Sequence, residues 1–198
     1  MPQIDYFFAP MSPFTYLAGD RLEVVAARHG ATIRYIPIDA PALFPRTGGQ
    51  RLADRHPSRN AYRLQELRRQ AKTSGLPLQI AAPYFPVNPA PASYAILAAI
   101  RVGGGDVPGL IRGFLRAVWA EGRNIAEDEV VRRILADYGF DPAISDRFML
   151  AAAETYVANL EEAVARGVFG VPFYIVGVEM FWGQDRLDDL DLHLAGKL

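Results

Sequence analysis

Ile4-Asp5-Tyr6-Phe7-Phe8, then Ala9-Pro10-Met11, then Ser12-Pro13-Phe14-Thr15 is the stretch on which the fold turns. Ile4 to Phe8 is almost wholly apolar, with Asp5 its only charge, and suits a buried strand of a parallel or mixed sheet. Ser before Pro is a common pairing at the start of a helix: Ser caps the first turn, and Pro fits the first helical position, where no N–H is needed. From Pro13 the spacing is helical. Phe14, Ala18, Leu22, Val25 and His29 recur at steps of three or four, Asp20, Arg21, Glu23 and Arg28 take the other face, and Gly30 is the predicted stop. Thr32 to Ile38 reads as a second strand. Two parallel strands joined by a helix require a right-handed crossover, so the first forty or so residues make one βαβ unit.

Working outward, the strand signal disappears from Ala40 to about Arg166, and helices follow one another. The expected pieces are Ser58 to Ser74, Ala90 to Val102, Pro108 to Glu121, Ala126 to Tyr138, Pro142 to Leu150 and Ala152 to Arg166, with glycines at 75, 103, 122, 139 and 167 as stops. Pro77 to Pro91, rich in proline and aromatics around Tyr84-Phe85-Pro86, reads as an ordered loop. After Val171-Pro172 come Phe173 to Val176, a Gly177-Val178 turn suited to a two-residue hairpin, Val178 to Trp182, and a last helix over about Asp185 to Ala195. The order βαβ, helices, ββα predicts an α/β chain with a thioredoxin-like fold interrupted by an all-helical insertion. Residues 1–39 and 167–198 would form the thioredoxin-like domain and 40–166 the insertion.

That layout normally carries Cys-x-x-Cys at the first turn of its first helix. The 198-residue chain has no cysteine. The Ser12 hydroxyl stands where the thiol would be, so the protein cannot exchange a disulfide of its own. A hydroxyl at the positive end of a helix can instead hydrogen-bond an anion that arrives from outside, such as a borrowed thiolate. Capping and anion binding are compatible roles for it.

The composition is that of an ordinary globular protein, 51% hydrophobic with a net charge of −1. The basic residues are scattered rather than gathered, which argues against nucleic acid as a partner. Charged residues, Gly or Pro interrupt every apolar stretch before the roughly 18 residues a membrane span needs. Met1 to Asp5 lacks the pattern of a signal peptide, so a cytoplasmic place is expected. His29, His56 and His193 share no metal-ligand spacing, and no metal is expected.

Two further local features bear on function. Val171-Pro172 stands just before the strand that follows the helical stretch. In thioredoxin-like proteins a cis proline there faces the first helix and frees the preceding backbone to pair with a peptide-like ligand, so we expect this bond to be cis. Gln184-Asp185-Arg186 precedes the last helix. Asp185 reads either as its cap or as part of a site for a charged ligand end.

Phe7 to Leu17, Trp119-Ala120-Glu121-Gly122, Val168-Phe169-Gly170-Val171-Pro172 and Glu179 to Leu187 together resemble the 2-hydroxychromene-2-carboxylate isomerases, relatives of kappa-class glutathione transferases. The resemblance runs over nearly the whole chain. It implies glutathione as cofactor, with its sulfur near the catalytic Ser12, its cysteinyl backbone paired with Val171 beside Pro172, and its γ-glutamyl end near Gln184 and Asp185. It also implies a basic contact to a glutathione carboxylate, at Arg59 ahead of Tyr62, where relatives carry Lys. Gly48-Gly49 stands where relatives have Gly-Asn, so one polar contact is missing.

The chemistry implied is nucleophilic addition of a thiolate to the conjugated cyclic hemiketal acid, ring opening, rotation about the former double bond, and elimination to trans-o-hydroxybenzylidenepyruvate. Phe14, Tyr84, Phe85, Trp119 and Trp182 are the aromatic candidates for the walls of the substrate pocket. The Pro77 to Pro91 stretch has no Arg or Lys, which leaves the partner of the substrate carboxylate unassigned. The family further implies a homodimer acting in aromatic catabolism. Two other readings stay open on the sequence: a kappa-like transferase or peroxidase that consumes glutathione, and a non-catalytic thioredoxin-like module that binds peptides beside Pro172.

Overall fold

The computed structural model describes all 198 residues. β1 (Gln3–Phe8) leads into α1 (Pro13–Leu17), α2 (Arg21–Arg28) and β2 (Thr32–Pro37). Then follow α3 (Ala40–Arg46), a 3-10 turn (Leu52–Asp54), α4 (Pro57–Ser74), α5 (Ala90–Val102), α6 (Val107–Trp119), α7 (Asp128–Asp137), α8 (Ile144–Arg147) and α9 (Met149–Ala165). β3 (Phe173–Val176), β4 (Glu179–Trp182), a second 3-10 turn (Gln184–Arg186) and α10 (Leu187–Leu194) complete the chain.

The strands form one four-stranded sheet in the order β2-β1-β3-β4. β1 runs parallel to β2, with Phe7 opposite Ile36, and antiparallel to β3, with Tyr6 opposite Tyr174. The period-2 alternation of β1 sends its side chains to opposite faces. Ile4, Tyr6 and Phe8 join the main core with Leu22, Ile96, Phe114 and Leu187. Phe7 goes to the other face, with Ile36, Phe173 and Ile175, under Leu160 and Ala163 of α9. The sheet is thus covered on both sides, and the main core runs without a break from its strands into α5 and α6.

The strand limits and most helices agree with the sequence reading, and the differences have local causes. The single helix expected from Pro13 to His29 is two, because Gly19 takes a left-handed φ of +62° after the capping Ala18. A three-residue break that keeps Phe14, Leu22 and Val25 inward does not disturb the apolar spacing that was read as one helix. The helix expected over Pro142 to Leu150 is only Ile144–Arg147. Phe148 leaves the helical path, and α9 starts three residues before the expected Ala152. α3 has no counterpart in the sequence reading, because Pro41 and Pro45 interrupt the helical signal. Pro41 sits in the first turn, and the Asp39 carboxylate accepts from the Ala42 N–H at 3.0 Å to cap it. No helix is long and apolar enough to cross a membrane.

Candidate active site

Ser12 is held by the turn that joins β1 to α1. Its N–H donates to the Ala9 carbonyl at 2.9 Å, and its backbone is extended, as a capping residue requires. The Ser12 Oγ accepts from the Thr15 N–H at 3.2 Å, and its own O–H meets no acceptor in the protein. Only 8% of Ser12 is exposed, and that part faces a cavity of about 320 Å³. Cap and free donor are therefore combined in one hydroxyl.

Opposite Ser12 stands Val171. The Val171–Pro172 bond is cis, as expected, and Phe85–Pro86 is cis as well. The N–H and C=O of Val171 make no hydrogen bond within the protein, although Val171 is partly buried and lines the cavity. Pro172 itself is buried behind the wall, and its carbonyl accepts from the Gly183 N–H at 2.9 Å, which ties the hairpin end to the proline loop.

A second lobe, of about 580 Å³, shares Phe14, Arg55, Arg63, Val171 and Trp182 with the first and extends to Arg59, Gln184 and Asp185. The Gln184 carbonyl accepts from Arg21 at 3.0 Å, which fixes this corner to α2. The N–H groups of Gln184 and Asp185 have no partner in the protein. Asp185 is not a helix cap. It lies in the 3-10 turn, and its carboxylate meets Arg186 at 3.0 Å.

The structure therefore brings Ser12, Phe14, Arg59, Phe85, Val171, Trp182, Gln184 and Asp185 to one cleft. Two of the aromatic candidates are not on its walls. Trp119 is 1% exposed: its indole N–H donates to the Met11 carbonyl at 3.2 Å, and its ring backs Phe85 at 4.8 Å, so it supports the wall from behind. Tyr84 is 47% exposed and lines neither lobe, because the chain at Tyr84-Phe85 turns Phe85 inward. Gly49 lines a smaller recess beside Arg59. A Cβ there would lie 3.2 Å from the Phe44 backbone, so this loop is packed for glycine.

Sequence reasoning missed the basic character of the cleft. Arg51, Arg55 and Arg63 line the Ser12 lobe, which has no carboxylate on its wall. Burial, and then the neighbouring Arg55, pull the Arg63 guanidinium down to about 10, and burial and Arg59 lower Arg55. The signal is present as arginines at 55, 59 and 63, spaced by four: Arg59 and Arg63 share one face of α4, and Arg55 lies in the extended segment just before it.

Residues 3–195 match the DSBA-like thioredoxin domain. A curated 2-hydroxychromene-2-carboxylate isomerase of Pseudomonas putida is 31% identical over 93% of this chain and 90% of its own length. The chain belongs to this isomerase family within the DSBA-like thioredoxin fold. The solved structure of a 2-hydroxychromene-2-carboxylate isomerase superposes with a TM-score of 0.78 at 30% identity, covering 98% of this chain and 95% of its own. A third relative, glutathione S-transferase kappa 1 of Caenorhabditis elegans, is 33% identical over 39% of this chain and 34% of its own length.

Proposed function

We propose that the protein is a glutathione-dependent isomerase that converts 2-hydroxychromene-2-carboxylate-type aromatic acids to trans-o-hydroxybenzylidenepyruvate. The observation that carries this reading is the set of unused hydrogen-bonding groups facing one cleft: the Ser12 O–H, the Val171 N–H and C=O, and the N–H groups of Gln184 and Asp185. Backbone groups left unpaired on the wall of a cleft call for a partner, and a short peptide with an anion at one end would supply it. The names of the family's curated relatives supply the reaction.

The chain's residues divide the work. Ser12 donates to a thiolate at the α1 N-terminus, and the partial positive charge of the helix end adds to that effect. Val171 pairs with a peptide unit in the manner of a strand edge. Gln184 and Asp185 offer amides to a carboxylate and a side-chain carboxylate to an ammonium, while Arg59 offers a charged contact in the same lobe. Phe14, Phe85 and Trp182 supply apolar walls that hold a flat acid and exclude water. Glutathione, when bound, supplies the nucleophilic sulfur that the cysteine-free chain lacks.

Calorimetric titration with reduced glutathione, followed by an absorbance assay on the chromene acid, tests the reading. Binding heat and many turnovers with total glutathione unchanged are expected. No heat and no turnover would overturn it. The kappa-class match favours a transferase as the second reading, and consumption of glutathione in proportion to product would select it. A homodimer and a cytoplasmic place belong to the same proposal, and sedimentation of the purified protein checks the first of these.

A further inference from the structure

Arg63 differs from the other cations of the cleft in being partly buried with neither a hydrogen bond nor an ion pair. Arg55 donates its Nε–H to the Gln50 carbonyl at 3.0 Å and lies over the Phe44 ring at 5.5 Å. Arg51 and Arg59 are exposed to water. Glu66, one turn along α4 from Arg63, is engaged by Arg69 at 3.1 Å and by Gln70 at 2.9 Å. Arg63 is partly buried, makes no hydrogen bond and no ion pair, and lines both lobes of the cleft. Its guanidinium carbon sits 5.5 Å from the centroid of Phe85. Phe85 in turn rests on Trp119, whose indole N–H is tied to the Met11 carbonyl next to Ser12.

A guanidinium over a ring face is attracted by the ring quadrupole, and this leaves N–H donors of the fork for another partner. The contacts from Trp119 to Phe85 and from Phe85 to Arg63 hold a forked donor at the junction of the lobes. Withdrawn from water and without a counter-charge, it is set for a planar anion that accepts two parallel bonds. We propose that Arg63 is the residue that receives the substrate's carboxylate, with Phe85 as the platform that positions it; this rests on the function proposed above. The apolar walls beside it give the rest of the ligand its class: a flat aromatic carboxylate in preference to the corresponding neutral amide.

The test compares binding of 2-naphthoate and 2-naphthamide to the protein, with and without saturating glutathione, by calorimetry. The wild type is expected to prefer the acid at least about tenfold, the size of one charge-assisted pair. R63Q should remove that preference while leaving the affinity for the amide within about twofold, since the amide needs no cation. R63K should keep part of it, and F85L should weaken it with the charge still present, because the platform is lost. Retention of the full acid preference in R63Q, or no preference in the wild type, would overturn the assignment. The naphthoate preference is read without turnover, so a protein that prefers the acid through Arg63 but binds no glutathione would refute the function and leave this site standing.

Discussion

Ser12→Ala separates the capping role of the Ser12 hydroxyl from its proposed role as a donor to a thiolate. As a cap, Ser12 satisfies the Thr15 N–H, which lies in a residue only 2% exposed, so its loss leaves a buried donor unpaired. That costs about 1 to 2 kcal/mol of stability. For a chain of this length it corresponds to a fall in Tm of about 2 to 8 °C. As a donor to a bound thiolate, the same hydroxyl contributes a hydrogen bond to a charged group, worth about 1.5 to 3 kcal/mol. At 1.36 kcal/mol per unit, the thiol pKa of bound glutathione should rise by about one to two units in the variant. The thiolate fraction below both pKa values then drops by about ten- to a hundredfold. Activity near neutral pH falls with it and recovers as pH rises, because raising the pH restores the thiolate. The assay is the ultraviolet thiolate absorbance of the glutathione complex against pH, for wild type, Ser12→Ala and Ser12→Thr, with the threonine variant keeping both roles. Coincident titration curves for wild type and Ser12→Ala, alongside a lowered Tm, would leave Ser12 a cap and refute its part in the chemistry.

Gly170→Ala places a Cβ 2.3 Å from the indole nitrogen of Trp182. The half-exposed ring must swing aside, so calorimetry should show weaker glutathione binding, with a shifted tryptophan emission and little change in Tm. Asp185→Asn removes the exposed carboxylate proposed to meet the ligand's ammonium, and a loss of about two- to fivefold in glutathione affinity is expected; an unchanged Kd refutes that contact. Arg34 holds Glu162 through two bonds of 2.7 Å and Arg166 adds one of 3.1 Å, and chiefly the Arg34 hydrogen bonds keep the Glu162 carboxyl below its ordinary value. This contribution is complete above the ordinary glutamate pKa and disappears as pH falls through the lowered folded value. Glu162→Gln should therefore cost about 1 kcal/mol at neutral pH in denaturant unfolding, and the difference should close in acid. A difference independent of pH would show that the loss is one of packing alone.

What the sequence revealed and what it hid follow from the range of the interactions involved. β1, β2 and the β3–β4 hairpin were legible because their apolar runs are short and bounded by turn residues. Ser12, Val171 and Gln184 could be named because each occupies a marked local place: a helix start, a residue before proline, and a loop after a strand. Which aromatic faces the cleft is set by chain direction across the fold, and no local pattern distinguishes Phe85 from its neighbour Tyr84 or from the wholly enclosed Trp119. The arginines of the cleft escape a sequence reading for the related reason that a basic run at 55, 59 and 63 looks the same whether it meets water or a cavity. Its lack of acidic partners emerges only once β4 and the proline loop are folded against it.

The position of β1 in the middle of the sheet has a consequence during synthesis. β2 follows it closely and closes one side, whereas the other side, where Asp5, Tyr6 and Phe7 face Ile175, Tyr174 and Phe173, waits until the entire run of helices has been made. For that interval the nascent chain carries an apolar strand with a bare hydrogen-bonding edge, which is open to another molecule before its own distant hairpin exists. Recovery of native protein on refolding should accordingly fall as concentration rises, and a detached β3–β4 segment supplied in excess should compete for the open edge.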